Sequence, residues 1–331
     1  MKKILFFALT LMVYLFNTAG YAKDSFPINI AVEFTNHAAS AYIAQHKGWF
    51  EEEGIKPTFY NYVTGMALAS ALGRGDIQAA YMCLVPAINA YANAKIPIKV
   101  VAGLHKHGYG LAVNPSKVKT IKDLEREDIR IGAVQKGGPV DAFLIKTIER
   151  YGLDRDKILN RVNRMNPPMQ IMAIRAGRID ASFSPEHWPA IAEDAGFRML
   201  ITSQDVWPHM QGSIIIVKEE LIKNHPEVVR RLVKINEKST AWIKQHPQEA
   251  ATIMTKQLQA TGEKIFPIEI AELAQKFVIT PETVYRSMKR LDYITDIDIR
   301  AVQDFIDFAV KQGYIKEGFS AKDILDMRFS K

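Results

Sequence analysis

The chain has 331 residues, of which 48% are hydrophobic and 24% are charged, with 19 Gly and 15 Pro. This composition excludes a disordered or fibrous chain and predicts a globular protein of one or two domains. The formal charge of +7 is mild. Because acids are interleaved with the basic residues, as in residues 119–130, nucleic-acid binding is not supported.

The first 22 residues have the features of a secretory signal peptide. Lys2 and Lys3 form a positive segment, residues 4–16 are apolar except for Thr10, and residues 20–22 place small side chains at the cleavage positions. An uncleaved membrane anchor needs about 20 apolar residues, which is more than this run offers. We therefore expect cleavage after Ala22 and export of a soluble mature protein.

Cys83 is the only cysteine in the chain. No internal disulfide can form, so stability must come from the core even in an oxidising compartment. No cysteine lies near the cleavage site to carry a lipid anchor. This favours a freely diffusing protein of a Gram-negative periplasm over a membrane-tethered lipoprotein.

The mature sequence begins with an alternation of strands and helices. Gly48 ends the first helix, as glycine often does. The order strand, helix, strand, helix, strand predicts a parallel α/β sheet. The predicted elements are a strand at 27–32, a helix at 38–47, a strand at 56–63, a helix at 66–72 and a strand at 77–82.

The same alternation returns about a hundred residues later, which predicts two similar lobes. The residues agree as well as the order: residues 71–81 match residues 173–183 at a constant offset of 102, with Gly75 answered by Gly177. The second set of predicted elements is a strand at 130–134, a helix at 140–151, a strand at 161–165, a helix at 170–176 and a strand at 181–184.

The chain becomes helical from Pro226 onward. A helix from Pro226 to before Pro247 places Val228, Leu232 and Ile235 near one face. No third copy of the repeat follows, so we expect this tail to wrap back over the first lobe. The further predicted helices are 248–259, 268–277, 281–291 and 297–312.

Candidate binding residues lie in the loops that follow the predicted strands. In open parallel sheets, ligands bind outside the carboxyl ends of the strands. Two facing lobes therefore place two sets of such loops across one cleft. The candidate ligand-binding residues are Thr35, Asn36, His37, Thr64, Gly65, Cys83, Lys106, Lys136, Gly137, Gly138, Asn166, Glu186, His187 and Trp188.

Two of these loops carry the clearest chemistry. Residues 135–139 contain two glycines before Pro139, where free N–H groups at a helix start attract anions and Lys136 adds positive charge. Residues 184–189 bring together an acid, an imidazole and an indole. The alternatives are an ordinary glycine turn in the first loop, and in the second a core Trp188 beside a solvated Glu186.

Catalytic and metal-binding patterns are missing from the sequence. His105 and His107 lack the spacing of a zinc enzyme, and a lone cysteine such as Cys83 is more often buried packing than a nucleophile. The chain has no Gly-x-Ser-x-Gly elbow, phosphate loop or Gly-x-Gly-x-x-Gly motif after the first strand. We expect no catalytic residue, no metal and no cofactor.

The chain resembles the periplasmic solute-binding proteins of the nitrate, sulfonate, taurine and thiamine-pyrimidine ABC importers. The resemblance covers essentially the whole mature length. It is carried by residues 44–50 with 53–55, by 71–77, by 121–124, by 173–181 with Glu186, and by 225–229.

This resemblance implies a type II periplasmic binding protein: two similar α/β lobes with a ligand cleft between them and a helical C-terminal tail. It divides the chain into a signal peptide at 1–22, a first lobe at 26–110 and 212–331, and a second lobe at 111–211. It also implies a permease in the inner membrane as partner, and we expect a monomer.

The sequence leaves the chemical class of the solute open. Lys106, Lys136 and the helix start favour a carboxylate or sulfonate, whereas Glu186 favours an amine, amidine or aminopyrimidine. In the family the acid is usually followed by proline, and here His187 follows it. Two other functions are alternatives: an enzyme of thiamine-pyrimidine or menaquinone biosynthesis on the same fold, and a sensory module. A sensory module would need an appended domain, and none is visible in the sequence.

Overall fold

The computed structural model describes residues 25–265 and 279–330. The signal segment with its predicted cleavage site after Ala22, and the predicted helix at 268–277, therefore lie outside the described residues. Among the helices of the described part, none is long and apolar enough to cross a membrane.

Twelve strands are present in the described residues, and ten of them form two five-stranded sheets. The strands are β1 (Phe26–Glu33), β2 (Ile55–Tyr62), β3 (Ala79–Cys83), β4 (Ile98–Gly103), β5 (His105–His107), β6 (Tyr109–Val113), β7 (Ile131–Ala133), β8 (Val162–Arg164), β9 (Ala181–Pro185), β10 (Arg198–Thr202), β11 (Ser213–Lys218) and β12 (Leu291–Tyr293).

The two sheets have the same topology, as the sequence repeat predicts. The first has the order β2-β1-β3-β11-β4 and the second, read in the same direction, the order β8-β7-β9-β6-β10. β9 therefore takes the place in the second sheet that β3 has in the first. We call the sheet containing β1 and its covering helices the first lobe, and the sheet containing β7 with its helices the second lobe.

The predicted strands pair in parallel, β1 with β2 and β3 and β7 with β8 and β9, and each sheet has in addition one antiparallel strand. β11 runs antiparallel to β3 and β4, and β6 runs antiparallel to β9 and β10. Both are crossover strands, through which the chain enters a lobe from the other one. Tyr109 lies opposite Pro185 and Ser213 opposite Cys83, so each crossover strand begins at the carboxyl ends of its neighbours and must run in the opposite direction.

Helices cover the sheets and form the tail. The helix Pro226–Gln245 buries Val228, Leu232, Ile235 and Ser239, as predicted. The longer helices of the described residues are Ala39–Lys47, Gly65–Leu72, Leu84–Ala92, Pro139–Tyr151, Pro167–Arg175, Pro226–Gln245, Pro247–Ile265, Pro281–Met288 and Ile299–Lys311; the shorter ones are Trp49–Glu52, Arg155–Leu159, Trp188–Asp194, Ser203–Val206, Glu219–Asn224 and Ala321–Ile324, with 3-10 turns at Asn36–Ala38, Ile121–Glu125 and Met327–Phe329.

The C-terminal tail reaches both lobes, which is more than the sequence predicts. Pro226–Gln245 and Pro247–Ile265 pack on Ala39–Lys47 of the first lobe, but Pro281–Met288 also packs on Trp188–Asp194 of the second lobe. The predicted helix at 281–291 ends early, because Leu291–Tyr293 pairs with β5 as a two-stranded ribbon.

Candidate functional site

The loops at the carboxyl ends of the parallel strands face each other between the lobes. They enclose a cavity of only about 20 Å³, roughly the space of one water molecule. The two lobes are thus closed on each other in this structure. The cavity is lined by Glu33, Val63, Thr64, Gly65 and Met66 from the first lobe and by Val134, Gln135, Gly138, Pro139, Val140, Pro167 and Pro185 from the second.

Beside this cavity, polar side chains from both lobes meet around the carbonyl of Gly108. That oxygen accepts a hydrogen bond from the backbone N–H of Glu186 at 2.8 Å and lies 2.8 Å from Nε2 of His37. Phe34 contacts the rings of both His187 and Trp188, with centroids 6.1 and 6.4 Å away. We call Asn36, His37, Glu186, His187 and Trp188 the buried polar cluster.

Several polar atoms of the buried polar cluster have no hydrogen-bond partner among the residues that the structure describes. They are Oδ1 of Asn36, Oε2 of Glu186, both ring nitrogens of His187 and Nε1 of Trp188. All four residues are buried. A buried polar atom without a partner costs about 1–3 kcal/mol, so such a group of atoms is suited to contact a polar molecule held between the lobes.

Burial sets the protonation of the cluster. It raises the pKa of Glu186 to about 7, although the Arg290 guanidinium opposes this. Burial lowers the pKa of His37 to about 4 and that of His187 to about 3. At neutral pH each imidazole is therefore uncharged and offers one N–H donor and one lone pair.

Glu186 is not a solvated acid, so that alternative is wrong. It is fully buried, and its Oε1 accepts a hydrogen bond from Nη1 of Arg290 in the tail at 3.0 Å. Trp188 is buried as well, stacked on His187 with ring centroids 4.7 Å apart. The structure therefore brings the acid, imidazole and indole of this loop together, as predicted.

Glu33 is a cleft residue that the sequence reasoning missed. Its Oε1 accepts the N–H of Gly65 at 3.1 Å and its Oε2 the N–H of Cys83 at 3.0 Å. Burial raises the pKa of Glu33, while the hydrogen bonds from Cys83 and Gly65 oppose that rise. The signal is an acid at the end of β1, directly after the apolar residues 30–32, because a buried charge is retained only if it has partners.

Cys83 lies beside the buried polar cluster as a buried thiol. Its Sγ is 3.1 Å from the hydroxyl of Tyr109 and 3.8 Å from Nδ1 of His37. Burial raises the pKa of this thiol well above its usual value. It therefore stays protonated at neutral pH and is a packing residue with weak hydrogen bonds.

Three of the predicted residues cap helices or turns. Thr35 accepts the N–H of His37 at 3.2 Å, and Thr64 accepts that of Ala67 at 3.3 Å. Asn166 accepts the N–H of Met169 at 3.0 Å and is exposed. Thr64 also lines the interlobe cavity, as does Gly65.

The glycine loop of the second lobe faces the cleft but is held by the protein's own groups. The N–H of Gly137 donates to Oδ2 of Asp141 at 3.0 Å, and its carbonyl accepts Nδ2 of Asn89 from the first lobe at 3.1 Å. Gly138 lines the cavity. The predicted approach of backbone to the cleft is thus present, and its first N–H group is already occupied.

The two predicted lysines are not part of this site. Lys136 is exposed and is not among the residues that line the interlobe cavity. Lys106 lies in β5 and lines a different surface cavity, together with Tyr285 and Lys289. Lys106 is the middle residue of a strand whose neighbours His105 and His107 are buried, so alternation turns its side chain to the other face, and Lys136 lies in an exposed turn. In the described residues, no group of three or more His, Cys, Asp and Glu side chains could hold a metal ion.

Two lobes of equal topology, joined by crossover strands, are the fold of periplasmic binding proteins. Two solved structures share it over nearly the whole chain, each with 17% identity and a TM-score of 0.74. One is the ligand-binding component of an ABC-type import system from Staphylococcus aureus, with zinc bound, covering 92% of this chain and 98% of that one. The other is the alkanesulfonate-binding protein SsuA from Xanthomonas axonopodis pv. citri, bound to MOPS, covering 92% and 99%.

The chain belongs to the NMT1-like family, whose family model matches residues 22–258. It is 27% identical over 299 residues to a protein of Bacillus subtilis (strain 168) named "Putative aliphatic sulfonates-binding protein", covering 87% of this chain and 83% of that protein. These proteins are named for binding rather than for a reaction, so the enzyme alternative is not supported.

Proposed function

We propose that this protein is the solute-binding component of an ABC importer and works outside the cytoplasmic membrane. It captures a small polar solute between its lobes and delivers it to a permease in the inner membrane. The observation that carries the proposal is the buried polar cluster, whose unpartnered atoms come from both lobes and lie where the lobes meet. The importer-associated and sulfonate-binding proteins described above support it. We place the mature protein in the periplasm, as a monomer cleaved after Ala22.

Closure of the lobes is the proposed mechanism of capture. Among the polar contacts across the cleft, Asn89 Nδ2 donates to the Gly137 carbonyl at 3.1 Å, and Gln135 Nε2 lies 3.5 Å from Oγ1 of Thr64. Apolar and aromatic contacts also join the lobes, such as Phe34 with His187 and Trp207 with Phe305, so opening has to separate both kinds. Hinge closure of this kind is common in two-lobed binding proteins, and a solute adds contacts only in the closed form.

A solute screen followed by scattering tests this function. Mature protein is screened by thermal shift against a small-metabolite library, since a solute at a hundred times its Kd stabilises by about 2.7 kcal/mol. Small-angle scattering then compares the protein with and without the best hit. A smaller radius of gyration with the hit supports the proposal. No hit in the library, or an unchanged scattering profile with a saturating hit, refutes it.

A matched pair of variants assigns the site. His187→Phe keeps an aromatic ring but removes both unpartnered nitrogens, and we expect the affinity for the hit to fall roughly ten- to a hundredfold. His209→Phe changes an exposed histidine and is expected to leave the affinity unchanged. Equal affinity of both variants and the wild type in calorimetric titration would remove the buried polar cluster from the site.

A further inference from the structure

The carboxylate of Glu33 sits where two helices of the first lobe begin. Gly65 is the first residue of Gly65–Leu72, and Cys83 is the N-cap of Leu84–Ala92. Glu33 accepts the N–H groups of both, at 3.1 and 3.0 Å. Unpaired N–H groups at helix starts are the usual place where proteins hold an anion. Here an internal carboxylate already takes that place.

The second lobe repeats this arrangement with another acid. Asp141 lies in the first turn of Pro139–Tyr151 and accepts the N–H of Gly137 at 3.0 Å. It is buried, and Arg164 balances its charge at 2.7 Å. The N–H of Gly137, one residue before the N-cap Gly138 of this helix, is therefore also occupied by one of the protein's own carboxylates.

The Arg290 guanidinium near the cleft is already paired with two acids of the protein. Arg290 binds Glu186 at 3.0 Å and Glu193 at 2.7 Å. The histidines of the buried polar cluster are neutral at physiological pH, because burial lowers the pKa of His37 and His187 to about 4 and 3. Within the described lining of the cleft, no lysine or arginine is left to neutralise a bound anion.

Glu33 still has acceptor capacity for a solute. Each carboxylate oxygen can accept more than one hydrogen bond, and each accepts one from the backbone here. Glu33 lines the interlobe cavity. Asn36 and Glu186 of the buried polar cluster are not among the lining residues, but they also have acceptor oxygens without a partner in the described residues. A solute rich in N–H groups satisfies these oxygens, whereas a sulfonate, nitrate or carboxylate offers only more acceptors and a like charge.

We propose that Glu33 replaces the anionic group of a solute at the helix starts of the first lobe, and that the solute is a neutral or cationic compound whose N–H donors face Glu33. This proposal rests on the proposed solute-binding function and names the chemical class of the solute. It sets this protein apart from the sulfonate-binding proteins that share its fold.

The first test uses two planar ions of the same shape, acetamidinium and acetate, in calorimetric titration of the wild-type protein. We expect acetamidinium to bind more tightly than acetate, nitrate or methanesulfonate. Binding of any of these anions at least as tightly as acetamidinium overturns the proposal. Tight binding of an anion would still be solute binding, so the proposed function would stand. The proposed function fails only if no solute of any class closes the lobes.

The second test vacates the helix starts. Glu33→Ala frees the two N–H groups and leaves space for a small carboxylate such as acetate. We expect acetate to bind this variant roughly ten- to a hundredfold more tightly than it binds wild type. Acetate should raise the melting temperature of this variant alone. Glu51→Ala, which removes an exposed acid of the first lobe, is the control and gains nothing. A Glu33→Ala protein that gains no anion binding overturns the proposal.

A third variant covers the case in which Glu33→Ala does not fold, as judged by circular dichroism. Glu33→Gln keeps the shape and one carbonyl oxygen but removes the charge. We expect it to bind acetamidinium roughly tenfold more weakly than wild type. Unchanged acetamidinium binding in this variant overturns the proposal.

Discussion

Replacing Arg290 with methionine removes the guanidinium that joins the tail to two acids of the second lobe. Arg290 donates to Glu186 at 3.0 Å and to Glu193 at 2.7 and 2.9 Å. The Arg290 side chain is 18% exposed and that of Glu186 is 0% exposed. Removing one partner of a buried ion pair costs about 3–5 kcal/mol. We expect the lower end, about 3 kcal/mol of unfolding free energy near pH 8, because Glu186 can take up a proton in part.

The pH dependence follows from the pKa of Glu186, which burial raises to about 7. A raised carboxyl pKa destabilises the folded state above the unfolded value of about 4.5, and the penalty grows as the pH rises through the folded value. Without Arg290 the folded pKa rises further, so the penalty keeps growing at alkaline pH. Near pH 5 Glu186 is protonated in both proteins, and the cost falls to about 1 kcal/mol for lost hydrogen bonds.

Arg286→Met is the matched control. Arg286 contacts Glu193 and Asp194, with side-chain exposures of 38%, 20% and 40% for the three residues. A pair exposed to this degree contributes about 0–1 kcal/mol, with little change between pH 5 and pH 8. Urea denaturation followed by tryptophan fluorescence at both pH values measures the two variants. If Arg290→Met is no more destabilising than Arg286→Met at pH 8, or if its effect does not shrink at pH 5, the reasoning is refuted.

Three further predictions concern single residues. Gly108→Ala forces an alanine to φ +84° with its Cβ 2.8 Å from Nε2 of His37, whereas Gly196→Ala, at φ +91°, has open space around it. We expect Gly108→Ala to lower the unfolding free energy by about 1 kcal/mol more than Gly196→Ala does. Equal urea midpoints for the two variants would contradict this contact. Native Cys83 should resist Ellman's reagent until urea unfolds the protein, because burial raises the pKa of its thiol; rapid labelling of the folded protein would show the thiol to be accessible. The imidazole of His187 takes up a proton near pH 6.5 in the unfolded chain and only near pH 3 in the folded protein, because burial lowers its pKa. Between roughly pH 6 and pH 4, wild type should therefore lose about 1.4 kcal/mol of unfolding free energy per pH unit that His187→Phe does not lose. Parallel curves of stability against pH would disprove the lowered pKa.

The local pattern of the sequence was enough to predict most of each lobe. Apolar runs marked β1, β3 and β9 within one or two residues, and a glycine precedes β3 and β9. The constant offset of 102 predicted that β3 and β9 are equivalent, which their identical places in the two sheets confirm. These elements are set by neighbours close in sequence, and that is the information a single sequence carries.

The features that sequence reasoning missed depend on distant partners. Leu291–Tyr293 continues an apolar helical pattern but becomes a strand, because β5, almost two hundred residues earlier, pairs with it. Lys106 and Lys136 were chosen for their charge, although charge does not show which way a side chain points. Glu33 was overlooked because its two partners, Gly65 and Cys83, lie in separate segments. Arg290 was missed because Glu186 is 104 residues away.

The place of β11 in the first sheet determines when that sheet can be completed as the chain is made. Within the sheet, β4 pairs only with β11, which is synthesised more than a hundred residues later. The second sheet, in contrast, is built from one continuous stretch between Tyr109 and Thr202. All five strands of the second sheet are therefore synthesised before β11, the sheet neighbour of β4. Until β11 is made, the first sheet is incomplete and has an unpaired edge. The strands of the second sheet are thus complete in the growing chain before those of the first sheet.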